Sequence, residues 1–182
     1  MVAKTKYTYE DYLNTPEGER YELLDGELIL VASPNMAHQG NQARLGARMF
    51  IFSEDNDLGR VFFSPTDVVL SDDSGTDVVQ PDVLFISKER EGIITAANVQ
   101  GAPDMVVEIL SPSSSRRDWK YKRELYAKYG VEEYWIVDPT NRIVSVTLLK
   151  DGVLEIAGAY VEGDALNSAA LEGFRVEVED IF

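Results

Sequence analysis

The chain contains no cysteine and a single histidine, His38. The first absence excludes disulfides and thiolate metal centres, and the second excludes zinc sites built from several imidazoles. Both suit a reducing cytoplasm. No apolar run approaches the roughly 20 residues that span a bilayer. The stretch from Met1 to Tyr7 holds no apolar signal-peptide core. A soluble, cytoplasmic protein without a membrane partner is therefore expected. Bases are scarce too: 17 Lys and Arg stand against 32 Asp and Glu, a formal net charge of −15. A field of that sign repels phosphate and argues against indiscriminate affinity for nucleic acid. No repeat or low-complexity tract appears.

What is present is an apolar fraction of 45% in 182 residues without a composition break, which reads as one domain, 1–182, with a substantial core. Its most informative stretch is 104–110, Asp-Met-Val-Val-Glu-Ile-Leu, closed by Ser111-Pro112. A short run rich in β-branched residues reads as a strand buried on both faces. Glu108 lies inside it, where an ionised carboxylate costs several kcal/mol or more unless a cation or donors offset it. The stretch 81–86, Pro-Asp-Val-Leu-Phe-Ile, is a second buried-strand pattern with Asp82 at its start.

Taken singly, Asp82 opens a strand and Glu108 pairs with a Lys or Arg. Taken together, two neighbouring strands bring two carboxylates to one point at a sheet edge. Oxygen-only ligands of this kind favour Mg²⁺ or Mn²⁺, the usual means of activating water against a phosphodiester.

Around these strands, Thr8 with Asp11 three residues on predicts a short capped helix over 8–13. The Asp25-Gly26 dipeptide predicts a hairpin within 21–30. Leu45, Met49 and Phe52 give 33–55 a helical period. His38, Gln39 and Gln42 fall in its first turns, so His38 is either a cap or packing residue or a site residue. Strands follow over 60–64 and 66–71, broken at Pro65, with a turn at 72–75. Residues 87–103 read as irregular. A strand at 133–139, a hairpin of 142–149 with 153–160, and an alternating edge strand near the end complete the chain.

The stretch 115–129, closed by Gly130, reads as a helix. Trp119, Lys122, Leu125, Tyr126 and Tyr129 share one face, and Lys122 interrupts an apolar stripe. Either Lys122 pairs with Asp118 one turn back, or its ammonium points at the two carboxylates and stabilises a phosphate oxygen. Within 116–128 lie six bases, Arg116, Arg117, Lys120, Lys122, Arg123 and Lys128, against Asp118 and Glu124. This run is either a solvated helix face or a contact for nucleic acid.

The segments 21–27 (Tyr-Glu-Leu-Leu-Asp-Gly-Glu), 80–83 (Gln-Pro-Asp-Val), 106–113 (Val-Val-Glu-Ile-Leu-Ser-Pro-Ser), 116–118 with Lys122, and 129–139 (Tyr-Gly-Val-Glu-Glu-Tyr-Trp-Ile-Val-Asp-Pro) resemble the Uma family of putative restriction endonucleases. That family resembles the PD-(D/E)XK nuclease superfamily. The resemblance covers nearly the whole chain. It implies a restriction-endonuclease-like α/β (α+β) fold, with a central mixed sheet flanked by helices, and a homodimer acting on DNA. It makes Asp82 the first motif acid and Glu108 the second, holding Mg²⁺ or Mn²⁺ together with the Ile109 carbonyl. The superfamily lysine two residues after the second acid is here Leu110, and Lys122 matches the family's displaced lysine. Gln80 belongs to the first motif. Glu22 either adds to the metal site or solvates a strand edge. Within the basic run, Arg116, Arg117 and Lys120 are the candidate DNA contacts. The competing reading is a nuclease-like scaffold without turnover that serves as a binding or regulatory module.

Overall fold

The computed structural model describes residues 6–73, 75–111 and 118–182. Helix α1 (Tyr9–Leu13) opens with a reciprocal cap: the Asp11 amide donates to the Thr8 hydroxyl, and the Thr8 amide donates to the Asp11 carboxylate at 2.7 Å. Strands β1 (Tyr21–Leu24) and β2 (Glu27–Leu30) pair across Asp25 and Gly26, with φ of 48° and 75°. Left-handed backbone at both positions is what a two-residue hairpin demands, and Asp-Gly supplies it at low cost. Helix α2 (Met36–Asp55) is capped by Asn35, whose side chain accepts from the His38 amide.

Strands β3 (Gly59–Phe63), β4 (Val68–Asp72), β5 (Gly75–Val79), β6 (Val83–Ser87), β7 (Val99–Gln100) and β8 (Met105–Ile109) come next. Lys88–Ile93, inside the stretch read as irregular, forms a 3₁₀ helix. After 117 the chain runs through a π-helical turn, Asp118–Lys122, into α3 (Arg123–Tyr129), and Gly130 at φ 83° ends it as the sequence predicts. Strands β9 (Glu133–Asp138), β10 (Ile143–Lys150), β11 (Val153–Tyr160), β12 (Ala165–Asn167) and β13 (Arg175–Glu177) follow.

The fold is mixed α/β, and its strands divide between sheets instead of sharing a single central one. One sheet has the order β2-β1-β5-β4-β7, a second β11-β10-β9-β8-β6-β3, and β12 pairs with β13. The pairs β4 with β7 and β8 with β9 are parallel; the others are antiparallel. The break at Pro65 therefore separates two sheets as well as two strands. The chain crosses from the first sheet to the second again at Gln80-Pro81-Asp82, between β5 and β6. Pro81, with no amide hydrogen to give to a ladder, suits such a crossing. The alternating tail is mostly not a strand: β13 is short, and Val178–Asp180 turns into a 3₁₀ helix.

Strand β8 explains where the core sits. Met105, Val107 and Ile109 face one cluster with Leu45 and Met49 of α2 and Trp135 of β9. Val106 faces the other cluster, with Leu84, Ile86, Leu125, Tyr126 and Tyr134. Because side chains alternate along a strand, Glu108 shares the side of Val106 and is directed toward the layer that holds α3.

Candidate active site

Strands β6 and β8 are antiparallel, with Val83 opposite Val107 and Leu84 opposite Val106. One further step in that register sets Asp82 across from Glu108. The Ile109 amide donates to Asp82 Oδ2 at 2.8 Å, which holds the Asp82 carboxylate beside the Glu108–Ile109 peptide. Both acids are buried.

Lys122 reaches Glu108 from the other direction. Its Nζ lies 2.7 Å from Glu108 Oε1 and 2.8 Å from Glu22 Oε1, with 3% of the side chain exposed. So the ammonium joins Glu108 to Glu22, and among the described residues these two carboxylates, not Asp82, are its ion-pair partners. The pairing of Lys122 with Asp118 falls outside the described side chains. Glu22 is fully buried, which removes the strand-edge solvation reading. It lies on β1 of the first sheet, and Glu108 lies on β8 of the second, so Lys122 ties the two sheets together at the crossing. Tyr126, one helical turn after Lys122, donates its hydroxyl to the same Glu108 oxygen at 2.7 Å. Burial, and then the charge of Glu108, push this phenol well above its ordinary value, so it remains a donor.

His38 and Gln80 complete the surroundings. His38 Nε2 lies 3.0 Å from Asp82 Oδ2. Its amide is capped by Asn35, so the helix start and the Asp82 contact are set by one residue. Gln42, one turn later, donates to the Asp82 carbonyl at 2.7 Å and to Ser64 Oγ at 3.0 Å. The Gln80 amide donates to Glu22 Oε1 at 3.1 Å. Its side chain accepts from Arg20 Nε and donates to Asp67, which also accepts from the Tyr12 hydroxyl. Gln80 thus acts through its backbone and is anchored by its side chain.

Of the basic run, Arg116 and Arg117 lie outside the described residues, and Lys120 is exposed. Lys122 turns inward, and Lys128 is engaged by Asp72 at 3.0 Å. Glu133 is a further buried carboxylate, outside the candidate residues of the sequence. It accepts from Trp135 Nε1 at 2.7 Å, Ser168 Oγ at 2.5 Å, and the Ala169 and Ala170 amides at 2.9 and 2.8 Å. It fastens the 168–171 turn to β9. Its place in an apolar strand, like that of Glu108, was the available signal.

Among the described residues no helix is long and apolar enough to cross a membrane. The mixed α/β fold, with two large sheets and a few helices, has a solved counterpart. A solved structure described as a putative nuclease belonging to DUF820, from Anabaena variabilis ATCC 29413, is similar to it with a TM-score of 0.80. The identity is 21%, over 96% of this chain and 97% of that one. The chain belongs to the Uma2 family, described as "Putative restriction endonuclease", whose model matches residues 8–179. Among curated proteins there is no match.

Proposed function

We propose that the protein is a metal-dependent endonuclease that hydrolyses DNA phosphodiester bonds. The observation that carries this reading is the placement of Asp82 and Glu108 at facing positions of β6 and β8, with Lys122 buried against Glu108. Family membership supports it.

The residues fit a hard cation. Among the described residues no three His, Asp or Glu side chains gather in a metal-holding group. Mg²⁺ does not require three, because it keeps several waters and takes oxygens from the substrate phosphate. Asp82, Glu108 and the Ile109 carbonyl would hold Mg²⁺ or Mn²⁺. When bound, the ion supplies Lewis acidity toward the phosphate and toward water.

The remaining work belongs to the chain. Hydrolysis adds water across a P–O bond, and negative charge builds on the non-bridging oxygens. Lys122 offsets that charge from a dry position, where a fixed donor is worth more than in water. Glu22 and Tyr126 hold the ammonium and the Glu108 carboxylate in place. His38 orients Asp82, and Gln80 aims Glu22. A homodimer, as the resemblance implies, accompanies this reading.

A second reading, a silent scaffold that binds without turnover, is favoured by the net charge of −15 and by the two carboxylates already holding Lys122. Incubation with supercoiled plasmid and with single-stranded circular DNA separates the two. Nicked or linear products with Mg²⁺ or Mn²⁺, absent with chelator, support the enzyme. Binding with no product under any metal condition supports the scaffold.

A further inference from the structure

Beside Asp82 lies a cleft of about 560 Å³, lined by Gln39, Gln42, Ala43, Ala47 and Phe50 of α2 and by Phe63 and Ser64 at the end of β3. Its polar end is one hydrogen bond from the site, because Gln42 donates to the Asp82 carbonyl and to Ser64. Its apolar part holds two rings that the core does not absorb: Phe50 is 43% exposed and Phe63 36%. Phe63 is nonetheless held. A Cβ at Gly46 would fall 2.2 Å from Phe63 Cε1, so only glycine lets the ring lie against α2. One side of the ring is thus seated on the helix and the rest meets solvent. The carbonyl of Phe63 is tied by the Thr66 hydroxyl at 2.7 Å, which fixes the strand end that carries the ring.

The charge pattern singles out the same surface. From Leu28 to Ser53 the chain holds two arginines, Arg44 and Arg48, and no acid, in a protein with 32 acids. Arg44 is exposed on α2 beside Ala43 of the cleft. Arg48 is paired with Asp180 at 3.2 Å, so Arg44 is the cation this stretch places beside the cleft.

Resting on the nuclease reading, we infer that the cleft receives an unpaired nucleobase of the DNA strand, stacked on Phe63 beside Asp82, so that the substrate is single-stranded. An exposed, immobilised ring gives a base its π-face without losing side-chain freedom on binding. The amides of Gln39 and Gln42 offer donors and acceptors to a base edge. Bases in an intact duplex are stacked on one another and cannot enter. Stacking of this kind is sequence-tolerant, so the cleft selects strand state more than base identity.

Fluorescence anisotropy in chelator measures this without turnover. The ligands are a labelled 12-nucleotide oligo(dT), a fully abasic chain of the same length and charge, and a 12-base-pair duplex. The parent binds oligo(dT) roughly tenfold or more tighter than the abasic chain, the size of one stacked base, and tighter than the duplex. Phe63→Leu and Phe50→Leu shrink the ratio of oligo(dT) to abasic affinity severalfold and leave abasic binding unchanged. Phe63→Tyr, which keeps a ring, retains the ratio. Equal binding of oligo(dT) and abasic chain by the parent overturns the inference. So does a ratio unmoved by both leucine variants. A leucine variant that changes only the oligomeric state in light scattering also overturns it and assigns the cleft to a second copy. Because cleavage plays no part, failure here leaves the nuclease reading intact, and an inert parent leaves the cleft intact.

Discussion

Replacing Lys122 by Met keeps the length of the stem and removes the charge. The consequence follows from the count of buried charges: one ammonium lies 2.7 and 2.8 Å from two carboxylates, Glu108 and Glu22. Without it, two buried anions face a site that no longer holds their common partner. Breaking a buried pair in this way costs about 3–5 kcal/mol, because the remaining charge is left uncompensated. For a chain of this size each kcal/mol moves the melting midpoint by roughly 2–4 °C, so the variant should melt on the order of 10 °C lower. Glu22→Gln should cost much less, since Lys122 keeps Glu108 and the new amide still accepts from it. Converting all three, with Glu22→Gln, Glu108→Gln and Lys122→Met together, removes every charge of this triad and should recover most of the loss, as apolar or neutral replacements of buried ion pairs often do. Urea unfolding followed by tryptophan fluorescence reads all of these, since Trp135 is fully buried. A cost below about 1 kcal/mol for Lys122→Met, the range of exposed pairs, would refute the buried triad. So would a triple variant weaker than the single.

Glu133→Gln presents an amide group to four donors, from Trp135, Ser168, Ala169 and Ala170. Each donor left unsatisfied costs roughly 1–3 kcal/mol, so urea midpoints should fall and the emission of Trp135 should shift, while binding of oligo(dT) is unchanged. Tyr12 makes a pH prediction. Burial first, then its hydrogen bond to Asp67, raise its phenol above the ordinary value. An acid whose folded value is raised favours folding in its neutral form, so stability holds at neutral pH and declines as pH rises beyond about 10, the ordinary phenol value. Tyr12→Phe should flatten that alkaline decline in melts taken between neutral and strongly alkaline pH; an unchanged slope assigns the decline to other phenols.

Local signals in the sequence translated directly into structure. The Thr8–Asp11 cap, the Asp25-Gly26 turn and the Gly130 helix end depend on chemistry within four residues, and all three stand as read. The buried strands at Asp82 and Glu108 were legible because an acid inside an apolar run is conspicuous. The division of strands between two sheets was not, because pairing partners lie far apart in sequence and the strands of both sheets share one composition. Glu22 was ambiguous for the same reason: in a four-residue strand it resembles a solvated edge, and its partner Lys122 is 100 positions away. Gln80 holds Glu22 through a backbone amide, which has no side-chain signature at all. The end of the chain misled because apolar alternation also fits a short strand followed by a 3₁₀ turn.

The central claim is that Asp82, Glu108 and Lys122 belong to one nuclease site. The most direct measurement compares initial rates of DNA cleavage, with Mg²⁺ and with chelator, for the parent, Glu108→Ala and Lys122→Met purified side by side, with folding verified by thermal melts. Metal-dependent cleavage by the parent is expected, with its loss in Glu108→Ala and a fall of about 10²–10³-fold in Lys122→Met, the size typical of losing one transition-state donor. A Glu108→Ala preparation that cleaves at the parent's rate would contradict it.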